Sequence, residues 1–474
     1  MPLSSQIEES FARRLANLPR DARRLLLLAA ADPVGDAQLI WRAARRLAIP
    51  ESAADTVESE GLLALSTPVA FRHPLVRSAV YRTSASYERR EVHRALAEAT
   101  DPEVDPDRRA WHRSQATSVP NEEVAAGLER SAARAQARGG LAAAAAFLER
   151  ATTLTPDEPR RSGRALAAGQ AKLQAGALDD ALRLAATAES GVLSELEQAR
   201  SLLLRAQISF LSTRGGDAAP LMLKAADRLR DLDPDLARET YLEALTAAIF
   251  AGRLAGLGAT TPQMAQAARA APPVRKPRGL DLLLDGLVAL FNDGYAAAVP
   301  LLRQAQHAIG DGMSQAEQLR SMWGATVSAI HLWDDEGWEQ LADRHLRLVR
   351  ETGAFGDLPV ALSHRGQMHV FAGELAWAAS LDEAIREATD LTGSNLAPYH
   401  GAGLVAMRGR EVEVRGFIDT TRVEVTERGE GAGLSFLDWA ESVLHNGLGR
   451  YAEAMAAALR VVDRPELAPV NWAL

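Results

Sequence analysis

The chain contains no cysteine. A disulfide framework, a thiolate metal site and a cysteine nucleophile are therefore excluded. Lysine is almost as scarce, since Lys172, Lys224 and Lys276 are the only ones, and positive charge rests on arginine. The formal net charge is −9. A chain that wraps nucleic acid by counterion release carries excess positive charge on its binding face, which this balance does not suggest. Long apolar runs are missing too. The longest, Leu25 to Ala31, falls far short of the roughly 20 residues of a membrane helix and does not open the chain as a signal peptide would. A soluble cytoplasmic protein without membrane contact is expected. With 47% hydrophobic and 24% charged residues the composition is that of a folded chain. A length of 474 residues calls for several packed units or one extended repeat array.

What the chain does have is a recurring spacing from about residue 120 onward. A turn with Gly or Asp precedes an apolar residue that has partners three, four and seven positions later. Examples are Leu141, Ala144, Ala145, Leu148; Leu178, Ala181, Leu182, Ala185; Tyr295, Ala298, Val299, Leu302; and Tyr451, Ala454, Met455, Ala458. Each set forms one stripe on a helix, and the small residues admit a neighbouring helix closely. The turn glycines suit helix ends, where a left-handed backbone satisfies leftover carbonyls. Leu141 to Leu178 spans 37 residues, Leu178 to Leu254 spans 76, Leu254 to Tyr295 spans 41 and Tyr295 to Trp338 spans 43. A period of this size with two helices per unit predicts an α-solenoid.

The first copy resembles the tetratricopeptide pattern at Gly139, Leu141, Ala144, Leu148, Ala151 and Pro156. Pro300 falls inside a later helix pattern, and the breakers at 254–263 and 271–279 interrupt the period. The second interruption reads either as a bend between two superhelical stacks or as a disordered linker. Tryptophan gathers late, at Trp323, Trp333, Trp338, Trp377, Trp439 and Trp472. The first five form either an aromatic groove for a ligand or partner on the concave face, or filling between long helices.

Residues 1–105 do not follow the repeat. SSQIEESFARRLANL opens with a capping-box pattern, Ser5 with Glu8, and two further short helices end at prolines. A fourth helix follows in PESAADTVESEG, and LLALSTPVAFRH alternates weakly around a turn as a two-strand wing would. Short helices followed by a hairpin are the winged-helix arrangement. The helix in the recognition position carries Glu51, Asp55, Glu58 and Glu60 with no basic residue, so it would repel phosphate. The module is expected to pack internally. Pro74 starts the next helix, where its missing N–H costs nothing.

FRHPLVRSAVY (71–81), ERREVHRALAEATDPEVDPDRRAWHRSQA (88–116) and ARAQARGGLAAAAAFLERATTLTP (133–156), with LMLKAADRLRDLDPDLARETYLEAL, GYAAAVPLLRQA, LWDDEGWEQL, FAGELAWAA and NGLGRYAEAMAAA, resemble the large ATP-binding LuxR-type regulators of actinobacteria. These belong to the signal-transduction ATPases with numerous domains, and the resemblance spans essentially the whole chain. It implies a P-loop ATPase, a winged-helix module, a helical-repeat sensor and a promoter-binding helix-turn-helix in that order. No G-x-x-x-x-G-K-[ST] occurs in this sequence. A new repeat helix is expected to begin at ELAPVNWAL. The chain is thus expected to be the central portion of such a regulator, whether a truncated gene, a fragment or a split polypeptide. It should bind no cofactor alone, ATP or ADP residing on the P-loop domain, and should reach DNA only through the helix-turn-helix. His73 stands where a related histidine contacts nucleotide phosphate; it reads either as such a sensor or as a cap on the following helix.

No enzyme is expected. H-E-x-x-H and G-x-S-x-G are absent, and His364 and His369 are five apart, off a shared helical face. Asp179-Asp180 and Asp334-Asp335 fall at helix starts, where capping accounts for them. The Arg runs at 160–164 and 275–279 read either as contacts for nucleic acid or an acidic partner, or as solvated faces. The whole reads as an all-α chain: a winged-helix-like module (1–105), then a tetratricopeptide-like solenoid in two stacks (106–270 and 280–474). Its repeats would bind a protein partner or a small-molecule effector and govern an ATPase switch. The alternative is a stand-alone adaptor joining two proteins through its repeats.

Overall fold

The computed structural model describes residues 14–15, 17–66, 68–309 and 313–462. The Ser5–Glu8 capping box, Trp472 and the closing ELAPVNWAL lie outside them. Contacts divide the chain into two compact units, one running through 134 together with 146–161, the other comprising 135–145 and 162 onward. The repeat pattern, by contrast, draws its lines at 105 and at 271–279.

The first unit holds α1 (Arg20–Ala31), α2 (Ala37–Arg46), α3 (Ser52–Ser59), the hairpin β1 (Leu63–Ala64) and β2 (Ala70–Phe71), α4 (Pro74–Thr83), α5 (Ser86–Ala99) and α6 (Pro106–Ala116). It is winged-helix-like. The hairpin is antiparallel, with Leu63 opposite Phe71 and Ala64 opposite Ala70. Residues 25–31 have no polar side chain, so α1 is buried almost all round and forms the centre of this core. α3 buries only Ala53 and Val57. One of its acids has structural work, since the Glu58 carboxylate accepts the Leu65 N–H at 3.2 Å and pins the wing.

Helix α6 belongs with this module although it follows residue 105. Its Arg108 donates to both oxygens of buried Asp32, at 2.9 and 2.5 Å. Its His112 meets His93 of α5 at 2.9 Å between ring nitrogens, and Tyr81 of α4 closes the chain at 2.7 Å on His93. Helices α7 (Glu122–Ala137) and α8 (Leu141–Leu154) follow. Val124, Leu128 and Ala151 pack with Phe147 and Ala110 in a small cluster of their own.

The second unit is a tetratricopeptide-like solenoid. Its helices are α9 (Glu158–Gln174), α10 (Leu178–Glu189), α11 (Glu195–Thr213), α12 (Ala218–Leu229), α13 (Pro234–Ala251), α14 (Thr261–Ala268), α15 (Gly279–Asn292), α16 (Tyr295–Ala308) and α17 (Gln315–Leu332). They continue as α18 (Asp335–Thr352), α19 (Leu358–Phe371), α20 (Leu375–Ser380), α21 (Asp382–Thr392), α22 (Tyr399–Met407), α23 (Glu411–Arg428), α24 (Gly431–Gly447) and α25 (Tyr451–Val462). Capping is local and legible, as where the Asp334 side chain accepts the Gly337 N–H at 2.9 Å to start α18.

The expected stripe is buried at Ala144, Ala145 and Leu148, while in two later helices the buried face is turned partly away from the expected one. In α10 the buried residues are Ala181, Leu184, Ala185 and Ala188, while Leu182 is exposed; in α25 they are Ala454, Ala457, Ala458 and Val461, while Tyr451 and Met455 are exposed. Alanine lines the seam because close helix approach leaves no room for more. Tyr295 is exposed for the same reason, ahead of buried Ala298 and Leu302. Helix α16 continues through Pro300. Segment 271–279 is anchored: Arg238 donates to the Pro272 carbonyl at 2.9 Å and to Asp281 at 2.8 Å, and one buried cluster runs from Ala206 past it to Leu348.

Residues about one hundred and eighty positions apart also touch within this unit. Arg214 donates to the Ser394 hydroxyl and the Asn395 carbonyl at 3.0 and 3.2 Å. Asn395 answers through its side-chain amide to the Ser212 carbonyl at 2.7 Å. Arg253 meets buried Asp438 at 2.6 Å. Gly176, with φ +81°, lies so near Gly356 that an added Cβ would stand 3.1 Å from the Gly356 nitrogen. Successive turns of the solenoid are thereby stapled together. No described helix is long and apolar enough to cross a membrane.

Candidate functional site

The staple residue Arg214 leads into the interior of the second unit. It ends α11 in the left-handed region, with φ 55°, a conformation that costs a residue with a Cβ about 1 kcal/mol. That backbone turns its side chain inward. The guanidinium lies over the Phe210 and Phe250 rings, 4.6 and 5.5 Å from their centroids. It lines a cavity of about 200 Å³ whose wall comes from α9, α11, α12, α13, α17, α18 and the 3₁₀ turn Phe355–Asp357 with the start of α19. Gln170, Gln207, Glu243, Arg320, His345 and Asp357 face it.

Its polar groups are poorly matched. Glu243 accepts one hydrogen bond, from the Gln207 amide at 2.7 Å, and burial pushes its carboxyl up to about 7. Asp357 has no side-chain hydrogen bond among the described residues, and burial pushes it up to about 6 against the pull of Arg214. Arg214 makes the two bonds given above and no carboxylate ion pair among the described residues; burial pushes its guanidinium down, opposed by Glu430 and Asp357. His345 is 2% exposed, and neither ring nitrogen has a hydrogen-bond partner. Burial, reinforced by His364, holds it down at about 3 and therefore neutral. Arg320 is engaged by Glu239 at 3.0 Å.

A second, apolar cavity of about 70 Å³ adjoins the first, with Phe250, Trp323 and Val360 in both walls. Ile249, Val327, Ile330, Leu396 and Phe436 line much of the rest, with Ser363, His364, Gln367 and Tyr399 as its polar neighbours. The Tyr399 hydroxyl donates to buried Glu430 at 2.5 Å.

Of the five tryptophans read as a groove, only Trp323 borders these cavities. Trp338 and Trp439 are buried packing residues, joined through Phe371, whose ring lies 5.4 Å from each. Trp333 and Trp377 are 73% and 66% exposed. Trp333 ends α17 in the left-handed region, and Trp377 stacks on His369. The five therefore do not line one cavity: one borders it, two are spent in packing and two are exposed. His73 is exposed and caps α4, its Nδ1 accepting the Leu75 N–H at 3.2 Å.

Arg214, Glu243, His345 and Asp357 went unread in the sequence. Glu243 did leave a signal, as the sole charge in the mostly apolar run from Tyr241 to Ala251. The others come from separate elements that no local pattern joins.

No family model and no curated protein matches the chain. Among solved structures it is similar to aspartyl phosphate phosphatase F from Bacillus subtilis, at 13% identity and a TM-score of 0.38, over 75% of this chain and 97% of that one. It is similar to a signal-transduction ATPase with numerous domains that has a tetratricopeptide repeat sensor, from Pyrococcus horikoshii, at 13% identity and 0.35, over 99% of this chain and 68% of that one. A Rap protein complexed with competence and sporulation factor superposes at 11% identity and 0.27, over 97% and 99%. At these scores the superpositions are distant.

Proposed function

We propose that this chain is the sensing portion of an ATP-dependent LuxR-type transcription regulator. An effector enters the cavity of the second unit and shifts an equilibrium that holds or releases an ATPase switch. The observation that carries the effector role is the cavity itself, a chamber inside a repeat scaffold with charged groups that find no full partners. A ligand that satisfied them in one conformation only would shift the population by its differential affinity. The switch is proposed on the resemblance around FRHPLVRSAVY, with ATP or ADP on a P-loop domain, DNA reached through a separate helix-turn-helix, the cytoplasm as location and no catalytic step on this chain.

The test is immunoprecipitation from the source cells with an antibody to this chain, with peptide sequencing of what comes down. A P-loop ATPase, on the same polypeptide or tightly bound to it, is the expected result. Its absence beside another stoichiometric partner would replace this reading with an adaptor. One feature favours that second reading: Tyr451, Met455 and Leu459 form an exposed apolar stripe along α25, as a protein-docking face would.

A further inference from the structure

We propose that the cavity takes a small organic cation, a primary ammonium on an apolar body, its nitrogen held by Glu243 and Asp357 and its body lodged against Phe250 and Trp323. This rests on reading the cavity as the effector site and specifies the effector's class.

The class follows from what the cavity leaves unsatisfied. Glu243 has one neutral donor for two carboxylate oxygens, and Asp357 has none. The Gln207 carbonyl is buried without a partner. These are acceptors, and an ammonium brings three N–H donors and the missing positive charge. The cations on the wall pull on these carboxylates from a distance but hydrogen-bond neither of them among the described residues. Arg214 is turned to Ser394 and Asn395 and clasped between two phenyl rings, and Arg320 is held by Glu239. His345 stands in the same wall with both ring nitrogens buried and unpartnered, and as a neutral ring it supplies no competing positive charge. An anion in the cavity would share it with two carboxylates, Glu243 and Asp357. Repulsion of that kind disfavours it.

Size and shape follow from the same walls. The two cavities hold about 200 and about 70 Å³, and an apolar cavity of about 150 Å³ takes benzene, so there is room for roughly 11 non-hydrogen atoms. Phe250 lies seven residues along α13 from Glu243, and Val360 three from Asp357. At 1.5 Å per helical residue that sets about 5 to 10 Å between charged and apolar ends. A peptide of several residues is too large.

The experiment titrates the whole chain by calorimetry with three matched probes: 2-phenylethylamine, 3-phenylpropionate and 2-phenylethanol. The amine should bind about tenfold or more tighter than either of the others, and Glu243→Gln and Asp357→Asn should each weaken it about tenfold. Affinity should also rise between about pH 5.5 and about pH 8, because both carboxyls, which face Arg214, Arg320 and the neutral His345, must ionise to hold the ammonium. Should one variant not fold, the other variant and this pH profile decide the matter. Equal or tighter binding of 3-phenylpropionate or 2-phenylethanol, abolished by plugging the cavity with Val360→Trp, overturns the cation class while leaving an effector site in place. Absence of binding by all three at about 10 mM overturns both.

Discussion

Asp438 carries the strongest prediction for the scaffold. Its carboxylate is fully buried and receives three guanidiniums: Arg253 at 2.6 Å, Arg422 at 3.1 Å and Arg460 at 3.2 Å. Arg422 and Arg460 keep 37% and 45% of their side chains in solvent, so screening leaves each contact small. Arg253 keeps 17% and reaches across 185 residues of sequence, so its charge is the one stranded when the carboxylate goes. Asp438→Asn preserves shape and removes charge; orphaning one buried partner should cost about 3 kcal/mol. For a chain of this size the unfolding entropy is about 1 kcal/mol/K, which converts that cost to a fall of about 3 °C in Tm by calorimetry. Adding Arg253→Met should recover part of the loss, because the stranded charge is gone, giving a coupling of about 1–3 kcal/mol. A Tm for Asp438→Asn unchanged within about 0.5 °C, or costs that simply add, would refute the assignment.

His345 should make the second unit sensitive to acid. The unfolded chain takes protons at histidine from about pH 6.5 downward, while folded His345 resists until about 3 and His364 until about 4. Stability is therefore full above about 6.5 and falls by up to about 1.4 kcal/mol per pH unit per site below it; Tm measured against pH for His345→Phe should show a shallower decline, and an unchanged slope refutes this. Gly176→Ala should cost at least about 2 kcal/mol by denaturant titration, since φ is +81° and the new Cβ would crowd Gly356 and Thr392. Gly409→Ala, with φ +68° and open space around it, should cost only about 1 kcal/mol, and equal losses would remove the crowding argument. In a gel-shift assay neither the unmodified chain nor Glu58→Arg with Glu60→Arg should retard duplex DNA; retardation that depends on α3 would show the acidic helix does enter a groove.

The sequence made the repeat legible because it is written in local terms. Helix spacing follows from alanine and leucine stripes, corners from Gly139 and Gly176, and the start of α4 from Pro74. The rotation that exposes Leu182 and Met455 was hidden, since neighbouring apolar residues satisfy either stripe on paper. Attachment of α6 to the first unit depended on Arg108 finding Asp32, a pairing with no periodic signature. The cavity was least legible. Arg214, Glu243, His345 and Asp357 meet only because one turn of the solenoid lies on the next, and a pattern that describes each repeat with its neighbour is silent about that.

Arrays whose repeats touch only their neighbours can gain or lose a unit with little penalty. The bonds from Arg214 to Ser394 and Asn395, and from Arg253 to Asp438, make this solenoid different. They register how many helices lie between them. Deleting one pair of helices between α14 and α18 would slide each donor past its acceptor by a whole unit, strand a buried arginine and unmake the chamber. The number of repeats in that stretch is therefore a fixed quantity, and lineages carrying this chain should vary in the residues that face the chamber while keeping the count.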